Sequence, residues 1–350
     1  MYTVWFHEYE DSDAPRVGGK CASLGAMMRA DLPVPPGFAV TTDAFDASIR
    51  RGGIGARLVA ALASLDPSDL GALALAGSVC RTSITDAGPF PECEQAIRSA
   101  YAMLCERVGQ IDVPVAVRSS ATAEDQPDAS FAGQQDTYLW IRGADDVVNH
   151  VVLCWASLYT DRAISYRHES GYGGESVSMS VAVQQMVLPK AAGVAFTLDP
   201  TNGDRSKVVL DSAFGIGESV VSGIVTPDNW VVDKVIFEIV KRTVSAKELE
   251  VVLDGDAIVH RPLDLERSRA ASLDDAEIIA VARLARRAEK HFGRPQDVEW
   301  AVADGVVHLL QSRPETVWAN KKRQVTTGVG SAVDGVLASL LTPVRVRPAE

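Results

Sequence analysis

The sequence predicts an α+β protein whose first half is mostly helical and whose second half is rich in strands. Three observations carry this. "PECEQAIRSAYAMLCERVG" places Ala96, Ile97, Ala100, Leu104 and Val108 at helical spacing and stops at Gly109. From residue 177 the pattern changes to short β-like runs: "VSMSVAVQQMV", "AAGVAFTL", "SKVVLDSAF", "NWVVDKV", "EIVKRTV" and "ELEVVL". One amphipathic helix, "SLDDAEIIAVARLARRAEKHFG", then precedes a hairpin, "DVEWAVADGVVHLLQSR".

Taken in order, residues 1–110 read as a short strand followed by helices. Val113–Val117 reads as a strand that runs into Arg118. A long run of small, polar or acidic residues follows, ending at Gly133, with the composition of a mobile lid. Val147, Val151, Trp155 and Leu158 predict one long helix over 144–168. A boundary is expected near 175–195. Ser272 with Asp275 resembles a capping box at the start of the last helix, and Gly293 closes it. Residues 319–350 read as a linker and a tail helix, with Val333, Val336, Leu337, Leu340 and Leu341 on one face. There is no internal repeat.

A chain of 350 residues, 47% of them hydrophobic, is globular and long enough for two or three domains or subdomains. A net charge of -12 argues against general nucleic-acid binding, though it leaves room for a local basic pocket around one anion. Five scattered cysteines without a CxxC pair suit reduced core thiols and a cytoplasmic setting. "MYTVWFHEYEDSD" has neither the basic nor the apolar region of a signal peptide, and no apolar run is long enough to span a bilayer.

Five stretches can carry chemistry. Arg118 has a permanent charge and five donors suited to phosphate oxygens, or else pairs with Glu124 or Asp125 in an ordinary loop. "RVGGKCASLG" offers two glycines for close backbone approach and Lys20 as a point charge. It is not a Walker loop, because Ala14 and Cys21 stand at required positions, and a surface turn reads equally well. The hairpin can be counted two ways. A two-residue Asp304-Gly305 turn separates Glu299 and Gln311 onto opposite faces. A three-residue Ala303-Asp304-Gly305 loop pairs Val302 with Val306, puts Val306, His308 and Leu310 on the apolar face, and leaves Glu299, Gln311 and Arg313 together. The second count gives the cleaner apolar face and is preferred. It would provide two oxygens for Mg²⁺ beside an arginine, or simply a polar solvent face. "VAVQQMV" ends in amides and a methionine that could border a purine, or is a core strand. "DSAFGIGESVVSG" has glycines at 215, 217 and 223 that mark a turn or a close approach.

In this order the stretches resemble the nucleotide-binding domain of the phosphoenolpyruvate synthase and pyruvate phosphate dikinase family, shared by rifampin phosphotransferases and phenol-phosphorylating synthases. The matching words include "GGKCASLGAM", "PVPPGFAVTTDAF", "VRSSATAEDQPDASFAGQQDTYL", "GVAFTLDP", "GIGESVVSGIVTPD" and "DVEWAV…LLQSRPET", over about residues 4–318. The resemblance implies an ATP-grasp fold with ATP between an N-terminal helical/β subdomain, 1–185 with a lid at 119–135, and a β-rich C-terminal subdomain, 186–318. It implies that Lys20 and Arg118 bind phosphates, that Gly133 and Thr137 belong to the lid, and that Gln184, Gln185, Met186 and Val187 border adenine. Glu299 and Gln311 match the Mg²⁺ ligands, and Arg313 the arginine beside the transferred phosphates. Cys21 and Trp140 depart from the pattern, where Gly and Asn are usual, and are expected to touch no motif residue.

The family moves a phosphoryl or pyrophosphoryl group from ATP to a histidine on a swivelling domain. None of the six histidines here (His7, His150, His168, His260, His291, His308) has the Thr-Ser-His-Ala context of that carrier. The expectation is therefore the ATP-binding part of a two-component phosphotransferase, splitting ATP to AMP and phosphate. Its partner would hold the carrier histidine and the acceptor, a phenol such as phenol or 4-cresol. The alternatives are the ATP-binding domain of a phosphoenolpyruvate synthase or antibiotic phosphotransferase, an ATP-grasp carboxylate ligase, and a non-catalytic nucleotide sensor.

Overall fold

The computed structural model describes residues 1–63, 65–121, 125–126, 129–130, 136–169 and 178–318, with backbone alone at 121, 125–126 and 129–130. Met1–Glu315 form one compact unit and Thr316–Glu350 a second. The expected tail helix, most of the expected lid and Gly133 lie outside the described residues.

The chain runs β1 (Thr3–Trp5), α1 (Ala14–Arg29, kinked at Gly18), β2 (Gly37–Val40), α2 (Thr42–Arg51), α3 (Gly55–Leu62), α4 (Leu70–Ala87), α5 (Pro91–Val108), β3 (Val115–Ala121), β4 (Asp125–Gln126), β5 (Ala129–Ser130), β6 (Thr137–Ile141), α6 (Ala144–Ser157), α7 (Asp161–Glu169) and β7 (Met179–Gln185). It continues through β8 (Ala191–Phe196), β9 (Lys207–Phe214), α8 (Glu218–Val221), β10 (Asp228–Asp233), β11 (Ile239–Thr243), β12 (Leu249–Asp254), β13 (Ala257–Pro262), α9 (Leu265–Ser268), α10 (Asp275–Phe292), β14 (Gln296–Ala303) and β15 (Val306–Pro314). The architecture is α+β. Among the described residues no helix is long and apolar enough to cross a membrane.

Two sheets organise these elements. One has the order β1-β2-β7-β3-β6, the other β11-β10-β9-β8-β14-β15. One core lies between the first sheet and the helices α2–α7. It includes Val115, Val117, Val181 and Val183 from the strands and Ile97, Leu104, Val151 and Trp155 from the helices. A second core joins α1 and α10 to the second sheet around Trp230 and Trp300. Complete burial of an indole removes a large apolar surface from water, worth about 2–3 kcal/mol each. Three of the buried positions that α10 gives to this core, Ala282, Ala285 and Ala288, carry only a methyl group.

The structure differs from the pattern reading at several elements. The helix expected over 144–168 is two, α6 and α7, because the Thr160 hydroxyl accepts from Ala163 N–H at 3.2 Å and starts a new helix. The capping box of α10 is Asp274–Glu277, not Ser272–Asp275. Ser272 is instead tied by its N–H and hydroxyl to the buried Asp228 carboxylate, at 2.8 and 2.7 Å. The hairpin turn is the two-residue Asp304-Gly305, both left-handed at φ 50° and 75°. A bulge then makes Leu310 the extra residue, so Trp300 faces Leu309 and Glu299 still faces Gln311. The apolar face therefore uses Val307 and Leu309, while Val306, expected in the core, is 48% exposed.

Candidate functional site

Gly18 is where the site begins to be built. It is left-handed at φ 67°, and a Cβ there would overlap the Ser120 carbonyl oxygen of β3. Only glycine lets the Val17–Lys20 backbone lie this close to the strand. The glycine thus serves approach to the chain's own backbone, not to a ligand as the composition suggested. It brings the Lys20 ammonium to donate to Ser119 O at 2.9 Å, one residue from Arg118. Gly215 does the same at the second sheet, where its left-handed turn lies against the Val251 carbonyl of β12.

A cavity of about 260 Å³ lies between the two sheets. From the first sheet it is lined by Ala116, Arg118, Thr137 and Leu139, and by the strand end Gln184 to Val187. From the second it is lined by Gly193, Ile216, Glu299 and Leu310, with α8 contributing Glu218 and Val221. Seven of the sequence-predicted site residues therefore line one space: Arg118, Thr137, Gln184, Gln185, Met186, Val187 and Glu299. Gln311 faces Glu299 across β14–β15, and Arg313 lies one same-face position further, opposite Asp297.

The two ends of the cavity differ in chemistry. At the β7 end the Gln185 and Met186 N–H groups are already used, by Pro36 O and Pro114 O at 2.9 Å. The Gln184 amide donates to Pro35 O at 3.4 Å. The Val187 N–H has no hydrogen-bond partner among the described residues. Trp140 meets this end, contrary to expectation: its N–H points at Met186 Sδ, 2.9 Å away. It sits in a bulge of β6 with φ 61°, a conformation an Asn adopts more readily than a Trp. Cys21 donates its N–H to Ser120 Oγ at 3.3 Å, and its Sγ lies 3.8 Å from Ser180 Oγ.

The other end is charged. Arg118 Nη2 donates to Glu299 Oε2 at 2.8 Å, joining β3 of one sheet to β14 of the other. Burial pushes the Glu299 carboxyl up, but Arg118, through charge and hydrogen bond, and then Arg313 and Lys20 outweigh it and hold it below its ordinary range. Asp297 goes the other way. Its burial raises it more than Arg313, 2.8 Å away, lowers it, and the charges of Glu299 and Glu315 add to the rise.

The donor set suits a hard divalent cation. Gln311 Oε1 is buried with no hydrogen-bond partner among the described residues, and it lies opposite the Glu299 carboxylate. Two oxygens of this kind leave further coordination positions for phosphate and water, as Mg²⁺ requires. Among the described residues no cluster of three or more His, Cys, Asp or Glu offers a full protein cage.

Leu139, Glu218, Asp297 and Leu310 were not singled out from the sequence. Leu139 and Leu310 reach the cavity through bulges, which periodicity does not reveal. Glu218 follows the Gly215-Ile216-Gly217 turn, and the only signal for it was that glycine spacing.

The family described as "Pyruvate phosphate dikinase, AMP/ATP-binding domain" matches residues 14–329. The chain is 43% identical over 326 residues to a probable phosphoenolpyruvate synthase of Methanocaldococcus jannaschii, covering 92% of this chain and 27% of that protein. It is 41% identical over 317 residues to a rifampicin phosphotransferase of Streptomyces sviceus, covering 90% and 36%. It is 38% identical over 356 residues to a phosphoenolpyruvate synthase of Pyrococcus furiosus, covering 90% and 44%. The chain thus spans less than half the length of these relatives. With two sheets enclosing a cavity that is apolar at one end and ionic at the other, and with this match, the chain belongs to the pyruvate phosphate dikinase AMP/ATP-binding domain family and has its ATP-grasp-type fold.

Proposed function

We propose that this chain binds Mg·ATP between its two sheets and passes a phosphoryl or pyrophosphoryl group to a histidine on a partner. The observation that carries the reading is the polarity of the cavity. An apolar end where Val187 N–H is an unspent backbone donor among the described residues fits a purine base. An ionic end with Lys20, Arg118 and Arg313 around Glu299 and Gln311 fits a polyphosphate and a divalent cation. Lys20 and Arg118 would bind the phosphates, Thr137 and Gly133 would belong to the lid, and Arg313 would neutralise charge on the group in transit. Bound between Glu299 and Gln311, Mg²⁺ would supply charge neutralisation and orientation for the phosphate oxygens.

A partner as bearer of the acceptor histidine is supported by the cavity lining, which includes none of the chain's six histidines among the described residues. ATP would be split to AMP and phosphate, and a phenolic acceptor on the partner would receive the phosphoryl group. That acceptor rests on the likeness to split phenol-phosphorylating synthases. The names of the relatives favour a second reading, the ATP-binding part of a phosphoenolpyruvate- or rifampicin-type enzyme.

The test is calorimetry and labelling on the isolated chain. It should bind a Mg-saturated, non-hydrolysable ATP analogue, and with labelled ATP it should form no stable phosphohistidine of its own. Absence of nucleotide binding sinks the site assignment. A stable phosphohistidine on this chain sinks the two-component reading.

A further inference from the structure

The Arg118–Glu299 ion pair sets an anion-binding and a cation-binding residue against each other. The pair is 2.8 Å long, and its side chains are only 15% and 23% exposed. It bridges the two sheets across the cavity that both residues line. Next to it are two unspent polar atoms. Among the described residues Arg118 Nε is buried without a hydrogen-bond partner, and so is Gln311 Oε1, opposite Glu299. One is a donor that suits an anion and the other an acceptor that suits a cation. The neighbouring arginine is held differently. Arg313 gives both Nε and Nη2 to one oxygen of Asp297 at 2.8 Å, and Asp297 has no neutral oxygen ligand facing it as Glu299 has in Gln311.

We infer that the site takes a divalent cation and a nucleotide polyphosphate only together, because each releases the half of the Arg118–Glu299 pair that the other needs. A polyphosphate arriving alone would draw Arg118 away from the half-buried Glu299 carboxylate and leave it only the more weakly acting Arg313 and Lys20, beside the polyphosphate's own negative charge. A cation arriving alone would draw Glu299 away and strand the guanidinium. Breaking one side of a buried pair is far costlier than exchanging both partners at once. When metal and nucleotide enter together, Arg118 exchanges one anion for another and Glu299 one cation for another, and Arg118 Nε and Gln311 Oε1 gain partners. Free nucleotide and free metal are thereby disfavoured by the same contact. This deepens the Mg·ATP reading and rests on it.

Isothermal titration of the full chain tests the exchange. The probes are Mg²⁺ alone, the β,γ-imido analogue of ATP with a chelator, and the same analogue saturated with Mg²⁺. The wild type should bind the Mg-saturated analogue at least about tenfold more tightly than the metal-free one, within the ordinary range of coupling between two ligands. Glu299→Gln should bind the metal-free analogue more tightly than the wild type does, since Arg118 is released. Arg118→Met should bind Mg²⁺ alone more tightly, since Glu299 is released. Equal wild-type affinities for the two nucleotide forms overturn the inference, and so does a Glu299→Gln variant that binds metal-free analogue no better than wild type. The wild-type comparison decides the matter even where a variant fails to fold. Nucleotide binding without coupling removes this inference and leaves the ATP site standing, whereas no binding of any form removes both.

Discussion

Arg313 and Asp297 face each other directly across β14 and β15, and Nε and Nη2 of the arginine both reach one carboxylate oxygen at 2.8 Å. A guanidinium on a long side chain has many rotamers, and the buried Asp297 carboxylate, 10% exposed, helps to fix this one beside Glu299. Asp297→Asn keeps the shape and removes the charge. Its Kd for the Mg-saturated ATP analogue should rise about tenfold, equivalent to about 1.4 kcal/mol, with thermal stability little changed. An unchanged Kd would show that Arg313 needs no support from Asp297.

Gly18→Ala should damage both fold and site. A left-handed backbone costs an alanine about 1–2 kcal/mol, and the added methyl has the Ser120 carbonyl in its way. The relief is to move α1 off β3, which carries Lys20 away from Ser119. Urea unfolding should show a loss of at least about 2 kcal/mol, with weaker nucleotide binding in the protein that remains folded. Wild-type stability in this variant would mean that the kink relaxes without cost.

Lys247→Met probes an ion pair that has no part in the proposed chemistry. Lys247 and Asp228 are both fully buried and 2.6 Å apart. Asp228 also accepts from Ser245 N–H and from the N–H and hydroxyl of Ser272. Removing the ammonium leaves a buried carboxylate short of its counter-charge, a loss of about 3–5 kcal/mol in equilibrium unfolding. A loss below about 1 kcal/mol would show that the three remaining donors are sufficient.

The pH dependence follows from Glu299. Its carboxyl lies below the ordinary 4.5 in the folded chain, so its contribution to stability is complete above that value. The contribution is lost as the pH falls through the lower, folded value. The unfolding free-energy difference between wild type and Glu299→Gln should be constant from about pH 8 to pH 5.5 and shrink below about pH 4.5. A difference that grows on acidification would contradict the direction of the shift.

The long periodic elements were legible in the sequence because burial of one face writes itself into spacing. α5, α10 and most strands of the second sheet were visible in this way. Short or exposed strands were not: β2 has four residues, and β13 is mostly exposed. The α10 cap was misplaced because Ser272, Asp274 and Asp275 all suit a cap, and the choice depends on Asp228, distant in sequence. Arg118 shows the same limit at the site. Its residue type pointed to an anion, and acids close in sequence were the obvious partners, yet the carboxylate it meets lies 181 positions away. Glu299 and Gln311 were read as neighbours for the wrong reason. The turn is one residue shorter than expected, and the bulge at Leu310 makes up the difference.

That extra residue gives the protein a freedom an unbroken ladder would deny it. In a regular strand, consecutive side chains go to opposite faces, so a wall residue and a ligating residue cannot be adjacent. Here Leu310 lines the cavity while Gln311, next to it, faces Glu299. Because Leu310 opposes no residue of its own on β14, its size can change without altering which residues pair. Substitution at this one position can therefore widen or narrow the cavity while the Glu299–Gln311 pairing is held constant. Under the proposed function, nucleotide preference could thus vary independently of metal binding.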